Sequence, residues 1–199
     1  MIKILDNAIP EDVRNDLVHD PEYGSMKRQN YFLWPLEFFD FPRTPIQTAL
    51  HYIWKDHIDF EEFKDGCIEW WINKDNVVNG ISKYPDHIWH PDVHEPNGKT
   101  FDKFQSGNLG NTYYPHSNCI GGFFEIVENE RFNEWGPCQK FIRRIDHSVD
   151  VERIKSKTNR SIFFEPHRVH RVSKVYNGTR DSLASTLWKK KPLTFNEKE

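Results

Sequence analysis

The chain has little of what marks several common protein classes. No stretch approaches the ~20 consecutive apolar residues of a membrane-spanning helix, and the opening MIKILDNAIPEDV lacks the basic start and long apolar core of a signal peptide. These absences predict a soluble, cytoplasmic protein with no membrane partner. Cysteine is scarce: Cys67, Cys119 and Cys138 are odd in number and far apart, which fits neither a disulfide framework nor a zinc ribbon and suits a reducing compartment. Charge of one sign is missing too. With 27 basic and 30 acidic residues mixed along the chain, the formal net charge is -3, so no global field predicts a nucleic-acid partner. There is no internal repeat and no low-complexity linker.

Aromatic residues, by contrast, are plentiful at 15%, which predicts a folded chain despite its polar average. A length of 199 residues suits one well-buried core. We therefore read residues 1–199 as a single domain: an N-terminal strand and supporting helices over 1–66, a β core over 67–192, and a flexible tail over 193–199.

The apolar run from Ile2 to Leu5 reads as a strand, and Ile9-Pro10-Glu11-Asp12-Val13 as a helix start, because proline and acidic residues suit the first turn. From Pro45 to Phe63, Ile46, Leu50, Ile53, Trp54, Ile58 and Phe63 recur roughly at helical spacing, which predicts one longer helix. Beyond Cys67 the texture changes to short aromatic or β-branched runs between Gly, Pro, Asn and Asp clusters: CIEWWIN, NTYYP, GGFFEIV, KFIRRI, SIFFEP, RVHRVSKVY and SLASTLW. The fold class is thus mainly β with N-terminal helices, as a sandwich or jelly roll.

Two strands carry side chains that strand formation does not require. In IWHPDVHEPNG, His90 and Asp92 stand at i and i+2, which share one face of a strand and lie ~7 Å apart along it. Two imidazoles and a carboxylate with open positions are the donor set of non-haem iron(II) oxygenases, so a distant histidine is the missing partner. His94 is a reserve ligand, bent away by the Glu95-Pro96-Asn97-Gly98 turn. Pro91 removes a ladder donor and fixes φ, predicting a distorted strand between the two ligands.

The second stretch, SIFFEPHRVHRVSKVYNGTRDSLASTLW, places His170 in an apolar-flanked strand. Asn177-Gly178 then predicts a hairpin returning along Asp181 to Trp188. A three-residue loop with Gly178 in the left-handed position puts residues 170, 180 and 182 on one face; a two-residue loop puts His170 opposite Arg180. On a shared face, the arginine fork and the Ser182 hydroxyl could hold a small dicarboxylate. The competing reading is a salt bridge from Arg180 to Asp181 or Glu165.

At these residues the chain resembles the iron(II)- and 2-oxoglutarate-dependent dioxygenases, in their prolyl-hydroxylase-like branch. The resemblance runs from about Trp70 to Trp188, with HPDVHEPNG, NTYYPHSNCIGGFFEI and HRVSKVYNGTRDSLASTLW in the family's order. It implies a double-stranded β-helix, with iron(II) held by His90, Asp92 and His170 and with 2-oxoglutarate as cosubstrate. Arg180, Ser182 and Tyr114 resemble the residues that take its far carboxylate, and Gly121-Gly122 the turn into the strand behind the site. Asp92 stands where halogenating relatives have a small residue, so the implied reaction is hydroxylation of a C–H bond in a small-molecule or peptide substrate, such as a prolyl or other amino-acid side chain.

Two rivals keep the fold and change the chemistry: a jelly-roll binding module without redox activity, and a zinc hydrolase using the same three donors. Trp70, Trp71 and Trp89 read as core aromatics before groove residues. His116, His147 and His167 read as structural or exposed.

Overall fold

In a computed structural model, which describes residues 2–26, 31–78, 81–82, 89–94, 105–131 and 150–192, the chain runs β1 (Lys3–Asp6), α1 (Glu11–His19), α2 (Pro21–Ser25), β2 (Phe32–Pro35), a 3-10 turn (Leu36–Phe38) and α3 (Pro45–Trp54). Then follow β3 (Cys67–Val78), β4 (Ile81–Ser82), β5 (Val93–His94), β6 (Gln105–Ser106), β7 (Leu109–Gly121), β8 (Phe124–Arg131), β9 (Val151–Ile154), β10 (Arg160–Phe164), β11 (Arg168–Val172) and β12 (Val175–Trp188). The segment KFIRRI, His147 and the tail lie outside the described residues. No helix among the described residues is long and apolar enough to cross a membrane.

A seven-stranded antiparallel sheet has the order β1-β10-β7-β12-β3-β2, with β4 beside β3; a three-stranded sheet has the order β11-β8-β9. The strands of the N-terminal third are sheet members: β1 pairs with β10, and β2 with the first half of β3.

Paired aromatics show why both faces of the large sheet are covered. Successive residues of a strand point to opposite faces, so Tyr113 and Phe163 pack with the helices while their neighbours Tyr114 and Phe164 face the smaller sheet. The helix-side core gathers Leu17, Ile46, Leu50 and Trp54 against Ile68, Ile72 and Leu183. The inner core sets Tyr114, Ile162 and Phe164 against Phe124, Ile126 and Ile154. Each fully buried side chain of this size contributes about 1.5–3 kcal/mol, and together they fix the spacing of the two sheets.

The expected opening strand and helix are present, with Glu11 and Asp12 in the first turn of α1. The expected helix from Pro45 to Phe63 is shorter. It starts with Pro45 in its first turn and Thr44 accepting the Gln47 amide, but ends at Trp54. Beyond it, Asp59 Oδ1 accepts the amides of Glu61 and Glu62, a local competition that favours turns over helix. Ile58 and Phe63 are still buried against α3's core, so the apolar spacing was right about burial and wrong about conformation.

The expected hairpin at Asn177-Gly178 does not form. Both residues lie within β12, which pairs with β7 on one side and β3 on the other, while β11 pairs with β8 in the smaller sheet. Gly178 does take a positive φ of 87°, but for a different reason. A Cβ there would stand 1.9 Å from the Asn118 carbonyl oxygen, so the glycine allows a close approach of β12 to β7 beside a register shift between Val175 and Asn177.

Candidate active site

Backbone pairing assembles the three candidate metal ligands. His90 and His170 exchange both amide-to-carbonyl hydrogen bonds, at 2.9 and 3.0 Å. Such a pair projects its two side chains from the same face, and the imidazole centroids stand 4.8 Å apart. Asp92 returns to that face two residues on, its amide donating to the Pro166 carbonyl at 2.8 Å. The expected distortion at Pro91 is present: the pairing with β11 breaks off after His90, and the Asp92 amide meets Pro166 where a regular antiparallel ladder would bring it to Arg168.

The neighbours of the ligands hold them inward. Trp89 and Val169, each one residue before a histidine, pack together with Val127, and the Arg171 guanidinium lies 4.4 Å over the Trp89 ring. Inside, His170 is flanked by Phe124 and Phe164, with centroids at 5.5 and 4.7 Å. This burial pushes the His170 imidazole down to about 4, against the opposing pull of Asp92, so the ring is neutral at ordinary pH. Its Nδ1 lies 2.8 Å from the Arg168 carbonyl. A neutral ring donating there turns the Nε2 lone pair toward Asp92, the tautomer a metal ligand needs.

Arg168 was not singled out by its sequence. Its guanidinium donates to the carbonyls of Val127 and Glu128 beside a register irregularity between β11 and β8, fixing the segment whose carbonyl orients His170.

His90 Nε2 lies 3.7 Å from Asp92 Oδ1, and His170 Nε2 lies 3.6 Å from Asp92 Oδ2. One donor atom from each of the three residues falls within 4.8 Å of the others. Donors ~2 Å from a small divalent metal stand ~3 Å apart at adjacent positions, so small side-chain rotations close this set around an ion. Two imidazoles and a carboxylate suit iron(II). The side chain of His170 is 6% exposed and that of His90 28%, so the centre is closed behind His170 and open beside His90.

A second constellation is built on three strands. Arg180 and Ser182 project from one face of β12, and Asp75 and Asn73 stand opposite them on β3. Arg180 is 1% exposed and ion-paired through Nη2 to Asp75; its Nε and Nη1 are buried without a hydrogen-bond partner among the described residues. The Tyr114 hydroxyl is likewise buried and unpartnered. Burial pushes that phenol up to about 12, while Arg180 is the leading influence in the other direction. Ser182 Oγ lies 3.5 Å from the Asn73 carbonyl. Leaving a buried polar group unsatisfied costs about 1–3 kcal/mol, so three such atoms on Arg180 and Tyr114, close enough for the charge of one to act on the other, mark a place for an anion.

All six residues singled out by sequence are thus in two polar clusters of the inner layer, joined through the aromatic core that contains Tyr114, Phe124 and Phe164. The salt bridge expected as the alternative for Arg180 goes instead to Asp75. Asp75 was missed because its pairing with Arg180 joins β3 to β12, strands far apart in the sequence, and nothing local to Asp75 signals it. His94 lies in β5, and nothing is described of its side chain. His116 Nε2 meets Thr179 Oγ1 at 2.9 Å, a structural role as expected. Trp70 and Trp89 are buried, the former stacked on Phe32 at 4.4 Å.

No protein-family model and no curated protein matches the chain in sequence. Solved structures do match it in shape. A prolyl-4-hydroxylase from Pseudomonas putida superposes with a TM-score of 0.56 at 11% identity, over 93% of this chain and 83% of that one. A viral collagen prolyl hydroxylase from Paramecium bursaria Chlorella virus-1, in complex with 2-oxoglutarate, gives 0.53 at 13%, over 94% of both chains. HygX from Streptomyces hygroscopicus, with nickel and 2-oxoglutarate bound, gives 0.54 at 8%, over 94% and 82%. The protein has the double-stranded β-helix fold of these oxygenases.

Proposed function

We propose that the protein is an iron(II)- and 2-oxoglutarate-dependent oxygenase that hydroxylates a C–H bond. The observation that carries this reading is the pairing of a His90, Asp92, His170 donor set with the unpartnered, buried nitrogens of Arg180 and hydroxyl of Tyr114. Neither a hydrolase nor a binding module needs both.

Bound iron(II) with 2-oxoglutarate and dioxygen supplies the oxidation, with succinate and carbon dioxide as coproducts. The chain's own residues do the positioning. His90, Asp92 and His170 hold the ion on one side, and the hydrogen bond from His170 Nδ1 to the Arg168 carbonyl keeps the ring in its ligating form. Arg180 and Tyr114 receive the far carboxylate of 2-oxoglutarate, with Ser182 on the same face. Phe124 and Phe164 exclude water behind the metal. The more open side at His90 admits the substrate, a small molecule or peptide, and the solved prolyl hydroxylases of this fold make a prolyl side chain the first to test.

Calorimetric titration of 2-oxoglutarate into anaerobic, iron(II)-loaded protein, followed by a succinate assay in air, tests this. Saturable, metal-dependent binding with slow succinate release is expected. No binding to fully loaded protein would leave a jelly-roll module without redox activity.

A further inference from the structure

Arg180 is already paired, inside the protein, with the chain's own carboxylate. Asp75 stands directly opposite it across the β12–β3 ladder, the two residues are 7% and 1% exposed, and the contact is made through Nη2. Nη2 belongs to both two-pronged edges of a guanidinium, the one it forms with Nε and the one it forms with Nη1. Because Nη2 carries one N–H on each edge, Asp75 takes one of them and stands beside the other, where Nε or Nη1, without a hydrogen-bond partner among the described residues, can receive a carboxylate.

Charge adds to this geometry. Arg180 and Asp75 sum to zero, so a carboxylate entering beside them brings an uncompensated negative charge next to Asp75. Like charges a few ångströms apart in a water-poor interior repel strongly. We infer that Asp75 is an internal competitor for the far carboxylate of the cosubstrate, which balances the charge of Arg180 when the pocket is empty and sets the affinity of the filled pocket low enough for occupancy to follow cosubstrate concentration. This rests on the oxygenase reading above. It assigns Asp75 as a residue acting through Arg180, outside the metal centre.

Asp75→Asn separates charge from positioning, because the amide oxygen can still accept from Nη2 while the negative charge is gone. Anaerobic calorimetry on iron(II)-loaded wild type and variant would use two probes: 2-oxoglutarate, and 2-oxobutyrate, which keeps the keto acid but lacks the far carboxylate. The expected result is at least ten-fold tighter 2-oxoglutarate binding by Asp75→Asn, with 2-oxobutyrate changed less than two-fold. Should Asp75→Asn not fold, as judged by circular dichroism, Asp75→Ser carries the same expectation. Unchanged or weaker 2-oxoglutarate binding overturns the inference while leaving the oxygenase reading in place, and so does equal tightening of both probes. Failure of both probes to bind wild type and variant alike removes the oxygenase reading and this inference with it.

Discussion

The metal end and the anion end of the inner layer are built in different ways. At the metal end, one hydrogen-bonded residue pair and one i+2 step bring His90, His170 and Asp92 together, and backbone geometry does most of the placing. At the anion end, Arg180, Asp75 and Tyr114 come from three long strands, and what each does depends on register and on the charge beside it. Strand pairing alone can preorganise a metal site, whereas an anion site needs a buried charge that must be satisfied in its absence as well.

The largest effect should come from His170→Ala. Loss of a ligand with a preset tautomer is expected to weaken iron(II) binding by more than about 100-fold, read by metal titration, while the aromatic cage around it keeps the fold. A variant that bound iron(II) normally would remove His170 from the centre and break the contrast between the two ends.

Arg180→Met acts on both stability and binding. Breaking a buried pair from one side leaves Asp75 uncompensated, at about 3–5 kcal/mol of stability, and 2-oxoglutarate affinity should fall by roughly 100-fold, since charge-assisted hydrogen bonds are the strong ones. Denaturant melts and calorimetry separate the two losses. Iron(II) affinity is expected to stay close to wild type, and a parallel loss there would mean that the two ends are not independent.

Tyr114→Phe should split stability from binding in the opposite sense. Its hydroxyl is buried without a partner among the described residues, so removal is expected to leave the unliganded protein as stable or about 1 kcal/mol more stable, yet to weaken 2-oxoglutarate about ten-fold. A clear destabilisation without cosubstrate would show that the hydroxyl has a structural task.

The smallest effect belongs to a control far from both ends. Asp6 is held below the usual carboxylate range by Arg160 and then Lys157. A folded-state value below the unfolded one means that the contribution is present above about pH 4 and is lost as pH falls through and below that range. Its side chain is 38% exposed, so solvent screening limits the contribution to less than about 1 kcal/mol. Melts of Asp6→Asn and wild type from pH 7 to pH 3 should therefore converge toward low pH, and 2-oxoglutarate affinity at pH 7 should not change.

How much of this was legible differs between the elements. The runs around Trp70, Tyr113, Phe124, Phe163 and Leu183 became strands because alternating aromatic and β-branched residues suit a sheet covered on both faces. Asn177-Gly178 misled for a physical reason: a glycine with positive φ serves a hairpin and a close strand approach equally well, and only the position of Asn118 decides which. The segment after Trp54 misled because apolar spacing reports burial, and turns can bury Ile58 and Phe63 as a helix would.

By itself the sequence determined the strand-forming runs, the i, i+2 spacing of His90 and Asp92, and the residue types able to hold a metal and a carboxylate, since these depend on local periodicity and side-chain chemistry. Only the tertiary structure decided that His170 lies across from His90, that β12 is one unbroken strand, and that Asp75 faces Arg180. Those are matters of register between segments more than 75 residues apart, and a one-residue slip would turn each side chain to the opposite face.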